Sequence, residues 1–304
     1  MNEHRPDRAV LFLATGSATS PDEIAGFIAD IREGRPPSPE LLAEVQHRYQ
    51  LIGGSPFMRI TLAQSAALSG ELMRRGIRSP VFNGMCHCEP RIRSAVERMK
   101  QAGIEHAIAI ILAPLFSTFN RDRYARRLDQ AQRELGTNIA VRWIESWWRQ
   151  PRFIEAWAEN IQRALAAASG KTKLIFTAHS LPARVEKSGD RYADELKSCA
   201  AVLAGRVGFA DWSVAFQSAG ASPEPWLGPS LKECLGMLPS AGYERLVVAP
   251  IGFVCDNAEI LFDLDIEAKE LARASGIRLT RAETMNESAL FIAAMADALE
   301  GALE

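Results

Sequence analysis

The chain is poor in cysteine, has no phosphate-binding glycine loop and no long apolar run, and carries almost no net charge. Each shortage narrows what it can be. The five cysteines (Cys86, Cys88, Cys199, Cys234 and Cys255) are odd in number and thinly spread, which argues against a disulfide framework. No C-terminal group of them could hold an iron–sulfur centre, so no iron–sulfur cluster is expected. Cys86-His87-Cys88 looks superficially metal-like, but zinc sites space cysteines by about two to four residues and need a second pair, which is missing here. Packing and ligand contact both remain open for it. No apolar run approaches the roughly 20 residues needed to cross a bilayer. Residues 1–8 are mostly charged and lack the apolar stretch of a signal peptide, so a cytoplasmic location is expected. A net charge of -2 offers no electrostatic case for nucleic acid. Without a Gly-X-Gly-X-X-Gly or Walker-type loop, nucleotide binding is disfavoured, and Ser180 lacks the Gly-X-Ser-X-Gly flanks of a nucleophile elbow.

What is present reads as an ordinary globular α/β chain. Its 304 residues, 47% apolar and 24% charged, suffice for two domains with normal cores. Short apolar runs near 10–13, 80–84, 107–112, 139–144, 174–176, 212–216, 246–249 and 277–281 predict strands. Between them lie helix-length segments, such as one opened by Ser38-Pro39-Glu40 and stopped at Gly53-Gly54, and another over 153–168. Such alternation implies parallel sheets covered on both faces. The fold class is α/β, with two Rossmann-like, doubly wound domains over 1–145 and 146–304 and a hinge around 143–150. The last helix is free to pack back on the first domain, and an active-site cleft is expected between the two.

The halves echo one another. Val10-Leu-Phe-Leu-Ala14-Thr15-Gly16-Ser17 matches the style of Leu174-Ile-Phe-Thr-Ala178-His179-Ser180, and two later runs each close on Ala-Pro, at Pro114 and Pro250. In doubly wound sheets, ligands bind beyond the carboxyl ends of the strands. That rule gathers Thr15, Pro114, His179, Gln217 and Pro250, and only the second half places a histidine there. An imidazole facing a carboxylate suits metal ligation or proton abstraction near neutral pH.

After Pro250 comes an acidic segment in which Glu259, Asp263 and Glu267 recur every four residues. On an α-helix they share a face, where like charges repel by a few tenths of a kcal/mol per pair. Two readings stand: a solvated acidic face, or a carboxylate track for a divalent cation. Arg32, Arg35, Arg48 and Tyr49, followed by Ile52-Gly-Gly-Ser-Pro56, put arginines and flexible backbone in the first half. With Trp226 in the constrained Pro225-Trp-Leu-Gly-Pro229, they suit a large flat ligand carrying carboxylates.

These blocks resemble ferrochelatase. The resemblance rests on Ala178-His179-Ser180-Leu181-Pro182, Gln217-Ser218 with Pro225-Trp-Leu-Gly-Pro229, and Pro250-Ile-Gly-Phe-Val254 with Asp256 and Glu259. Gly34-Arg35-Pro36, Arg48-Tyr49 with Ile52-Gly-Gly-Ser-Pro56, and Leu112-Ala-Pro114 with Phe116-Ser-Thr118 add to it, in family order from about residue 10 to 290. It implies a lyase of haem biosynthesis that inserts Fe2+ into protoporphyrin IX or coproporphyrin III, both taken as substrates, with no cofactor required. By position it implies His179 and Glu259 at the metal-insertion site and Asp263 and Glu267 as a metal path. Thr15, Arg32, Arg48, Tyr49, Ser55, Tyr124 and Trp226 would line the porphyrin. It also leaves room for transient contact with a membrane or a pathway enzyme.

Three positions depart from the family pattern. Asn257 stands where a histidine is usual, Thr15 where the coproporphyrin branch often has tyrosine, and Cys86 where many members have arginine or lysine. The other readings are a cobalt or nickel chelatase of a sirohydrochlorin-type ring, and a non-catalytic haem or porphyrin carrier.

Overall fold

The computed structural model describes residues 8–167, 170–220 and 222–303. Residues 1–7, and Ala168 at the expected end of one helix, lie outside the described residues. In chain order the elements are β1 (Arg8–Ala14), a short 3-10 turn (Pro21–Glu23), α1 (Ile24–Ile31), α2 (Pro39–Leu51), α3 (Phe57–Arg74), β2 (Val81–Met85), α4 (Ile92–Gln101), β3 (His106–Ile111), α5 (Thr118–Leu135) and β4 (Ala140–Ile144). There follow α6 (Pro151–Ala166), β5 (Thr172–His179), α7 (Arg184–Lys187), α8 (Tyr192–Val207), β6 (Trp212–Gln217), α9 (Leu231–Met237) and β7 (Arg245–Ala249). A wide π-helix (Ile260–Ala268), α10 (Lys269–Ala274), β8 (Arg278–Arg281) and α11 (Ala289–Leu303) complete the chain. No helix among the described residues is long and apolar enough to cross a membrane.

The chain divides into two compact units. The first comprises residues 1–113, 118–147 and 286–304. Its sheet is parallel, in the order β2-β1-β3-β4. β1 is buried on both faces past Arg8, with Val10, Leu11, Phe12 and Leu13 each fully shielded, worth about 1.5–3 kcal/mol per large side chain. Ser38 caps α2 by accepting a hydrogen bond from the Leu41 N–H at 3.3 Å, with proline in the first turn, as the sequence predicts. The last helix, α11, belongs with the first unit. There it packs on α3, with Phe291 against Trp147 (centroids 5.7 Å apart) and Arg75 bridging Glu71, Asp297 and Glu300 at 2.7–2.9 Å.

The second unit comprises residues 114–117 and 148–285. Its parallel sheet has the order β6-β5-β7-β8, the same path through space as the first. In each unit the first strand lies between the second and third, so the switch point falls beside β1 and beside β5. The repeated sequence pattern is thus a repeated topology. β5 runs on to His179 itself, further than the apolar run 174–176 suggests, because His179 pairs in register with Gln217. α9 opens with a reciprocal cap between Ser230 and Glu233, and α8 ends on Gly208 with a left-handed backbone (φ 69°). All five cysteines are free thiols.

Candidate active site

His179 is the last residue of β5, and several contacts hold it there. Its own carbonyl accepts from the Tyr192 hydroxyl at 3.0 Å, and the Ser180 N–H donates to the Gln217 carbonyl at 2.7 Å. The ring Nδ1 lies 2.5 Å from the Ser180 carbonyl oxygen. A carbonyl can only accept, so Nδ1 carries a proton and the basic nitrogen is Nε2. Nε2 faces Glu259 Oε1 at 3.4 Å. Burial pulls the imidazole pKa down, but the Glu259 carboxylate, the Ser180 carbonyl and Asp263 push it further up, so the net shift is upward. The ring is therefore a base held beside its counter-charge, with about a third of the side chain exposed (34%).

Glu259 reaches this position through a loop that passes very close to β5. The Gly252 N–H donates to the Thr177 carbonyl at 3.1 Å, and a Cβ at Gly252 would lie 2.5 Å from that of Ala178. Only glycine permits so close an approach. Asn257 then caps the helix: its side-chain oxygen accepts from the Ile260 N–H at 2.8 Å and its carbonyl from the Leu261 N–H at 3.0 Å. Asn257, one of the departures from the resemblance, is thus a helix cap. Glu259 falls in the first turn, where the helix dipole favours a carboxylate.

The expected α-helical ladder of acids takes a different form. Over Ile260–Ala268 the helix is wound as a π-helix, with bonds spanning i→i+5, so a step of four falls short of a full turn. The three acids end in three environments. Glu259 faces His179, Asp263 accepts from the Ser218 hydroxyl, and Glu267 is exposed. Ser218 follows β6 and has a left-handed backbone (φ 58°), uncommon outside glycine, which marks a constrained strand tip. Among the described residues, no group of three or more His, Cys, Asp and Glu side chains is placed to hold a metal ion.

Trp226 lies on the segment that braces the His179 loop. Leu227 N–H donates to the Leu181 carbonyl and Ala183 N–H to the Pro225 carbonyl, both at 2.8 Å, while the Ser180 hydroxyl donates to the Leu227 carbonyl at 2.9 Å. The indole N–H donates to the Ser222 carbonyl at 3.4 Å and the ring lies against Gly220.

The remaining predicted residues belong to the first unit. Thr15 is exposed at the end of β1 and shares a hydrogen bond with the buried Tyr124 hydroxyl (3.3 Å). Burial drives the Tyr124 phenol well above its ordinary pKa, so it stays protonated. Tyr49 bonds to Ser17 at 3.0 Å, Ser55 Oγ accepts from the Phe57 N–H at 3.4 Å, and Arg48 pairs with Glu44 at 2.5 Å. Arg32 keeps a buried Nε without a hydrogen-bond partner. Cys86-His87-Cys88 splits apart: Cys86 is buried, Cys88 Sγ lies 3.5 Å from Met58 Sδ, and His87 Nδ1 donates to Asp30 at 2.6 Å. Asp30 also takes Arg91 (2.9 Å) and Arg127 (2.7 Å).

Sequence reasoning therefore identified His179 and Glu259, which meet, and overstated the regularity of the acids beyond them. It missed Tyr192, which no motif marks, and the structural parts played by Ser218 and Asn257.

Parallel sheets in the order found here define a doubly wound α/β fold, one that solved chelatases share. SirB from Bacillus subtilis, solved with Fe3+, superposes with a TM-score of 0.62 at 11% identity, over 96% of this chain and 94% of that one. CbiX, described as the terminal enzyme for siroheme biosynthesis in denitrifying bacteria, gives 0.59 at 16% identity over 98% and 100%. At such identities the likeness is one of fold. In sequence, the model of the family described as Ferrochelatase matches residues 7–303. The ferrochelatase of Deinococcus radiodurans is 40% identical, over 96% of this chain and 94% of that protein. The coproporphyrin III ferrochelatase of Geobacillus kaustophilus is 38% identical, over 94% and 93%. The chain belongs to the ferrochelatase family, and is thus an enzyme of haem biosynthesis, a metal chelatase of the lyase class.

Proposed function

We propose that this enzyme inserts Fe2+ into coproporphyrin III, with His179 and Glu259 as the insertion pair. The observation that carries the reading is the 3.4 Å approach of His179 Nε2 to Glu259 at the end of β5, with Nδ1 committed to a backbone carbonyl. Inserting a divalent ion displaces the two inner N–H protons of the porphyrin. Nε2 takes those protons one at a time and gives each to water before the next, and Glu259 stabilises the imidazolium formed in between. Resident metals usually have three or four protein ligands, so a pair suits an ion that is handed on. Asp263 and Glu267, further along the wide helix, are the approach for Fe2+. Both porphyrin and iron are substrates, and the reaction asks for no resident cofactor.

The choice of coproporphyrin III over protoporphyrin IX draws support from the names of several relatives and from the polar character of Arg32, Arg48, Tyr49, Ser55 and Tyr124, which suits a ligand rich in propionates. The test is an insertion assay with Fe2+, and Zn2+ as surrogate, against both porphyrins. Coproporphyrin III should be the better substrate by kcat/KM, and His179→Ala should abolish insertion while still binding porphyrin. Near-wild-type turnover in that variant sinks the assignment of the pair. A preference for a sirohydrochlorin-type ring with cobalt or nickel, or binding without insertion, would point to the two other readings.

A further inference from the structure

Arg281 ends β8 and sits in register with Val248 of β7, anchored where the Ala282 N–H donates to the Val248 carbonyl at 2.8 Å. Its guanidinium reaches two acids on either side of Glu259 in the chain. Nη1 donates to Asp256 Oδ1 at 3.2 Å, ahead of the helix cap Asn257. Nε and Nη2 donate to Asp265 Oδ2 at 3.0 and 2.7 Å, on the wide helix itself. The set is largely shielded, with 13% of the Arg281, 22% of the Asp256 and 20% of the Asp265 side chain exposed. Two more groups join it. The Thr284 hydroxyl donates to Asp256 Oδ1 at 2.8 Å, and Lys269 pairs with Asp265 Oδ1 at 2.8 Å, so two acids meet two cations. Asp265 stays ionised: burial raises its pKa, but Arg281 and Lys269 lower it further.

Elsewhere a forked arginine between acids only ties two elements together. Here the acids bracket the residue that must face His179. We propose that Arg281 is a positioning residue for metal insertion, its fork clamping the entry and the body of the wide helix to the sheet so that Glu259 is held against His179. The inference rests on the proposed insertion pair. It requires arginine specifically, because an ammonium is a point charge that cannot bridge two carboxylates in a fixed geometry.

The test uses the full chain. Arg281→Lys keeps the charge and loses the fork. Thr284→Val removes one hydrogen bond from Asp256 and no charge, and answers the question should Arg281→Lys fold poorly. Each variant is measured for coproporphyrin III affinity by fluorescence titration and for kcat and KM with Zn2+, alone and in the Glu259→Gln background. Expected is a kcat loss, approaching about 100-fold for a displacement near 1 Å, with porphyrin affinity unchanged. Little further loss should follow in the Glu259→Gln background, as for residues acting through one another. Wild-type kcat in both variants, or losses that multiply fully with Glu259→Gln, overturns the clamp. If Glu259→Gln alone turns over like the wild type, the insertion pair fails as well, and the clamp has nothing to position.

Discussion

Gly252→Ala is the sharpest perturbation this structure offers, because one methyl group would land between the two halves of the insertion pair's support. An added Cβ at Gly252 would lie 2.5 Å from Ala178 Cβ and 2.8 Å from Ala178 Cα, about an ångström short of the 3.4 Å at which ordinary contact begins. Neither neighbour can give. Ala178 is fully buried in the centre of its sheet, next to His179, and paired in register with Phe216. The loop must therefore move away from β5, stretching the Gly252 N–H to Thr177 carbonyl bond and carrying the cap Asn257 and Glu259 with it. Overpacking of this sort costs about 1–3 kcal/mol in stability. A shift near 1 Å at a catalytic group costs on the order of 100-fold in rate. Urea unfolding followed by fluorescence gives the first number, and initial rates of Zn2+ insertion at saturating porphyrin give the second. Porphyrin affinity should hardly change. Wild-type kcat and an unchanged urea midpoint would refute the argument that this contact sets the distance between Glu259 and His179.

The other expectations concern charge and capping. His179 titrates above its ordinary 6.5 when folded, so its pairing with Glu259 contributes stability that is fully present below about 6.5 and is lost as pH rises through the folded value. Glu259→Gln should remove that window from urea midpoints taken across pH, and an identical pH profile would contradict it. His87 has the opposite sign. Burial, partly offset by Asp30, depresses it to about 4, so stability falls as pH drops from about 6.5 towards 4, and a His87→Asn variant should flatten that slope. Asn257→Ala should destabilise the protein by about 1 kcal/mol through loss of the cap, while Asn257→Asp stays near wild type in denaturant melts. Equal effects of the two would deny Asn257 its capping role.

Much of the site was legible before the structure, for a local reason. Strand runs such as Val10–Leu13 and Leu246–Ala249 are apolar on both faces, and the residues that follow them must lie at the carboxyl edge of a parallel sheet. Thr15, His179 and Pro250 could be placed from that pattern alone. Ser38 and Gly53 marked the ends of α2 by the same short-range chemistry. The acids after Pro250 were readable as acids, but not as a π-helix. Glu259, Asp263 and Glu267 recur every four residues, as Ile260, Leu264 and Ala268 do, and that spacing is as compatible with an α-helix as with the wider winding. Which helix receives α11 was hidden too, since nothing in its composition says that it closes on α3.

Sequence alone thus settled the class of fold, the repeated half and the histidine at one strand tip, and the resemblance to ferrochelatase pointed to Glu259 as its partner, because each depends on patterns spanning a few residues or a short motif. Tertiary structure decided which groups meet. The approach of His179 Nε2 to Glu259, the Ser218 hold on Asp263, the Gly252 approach to Ala178 and the Arg281 fork across Asp256 and Asp265 all join distant parts of the chain or different elements. Such contacts have no period along the chain, and they form only when folding of the second unit brings strand ends, loops and the wide helix within hydrogen-bond range.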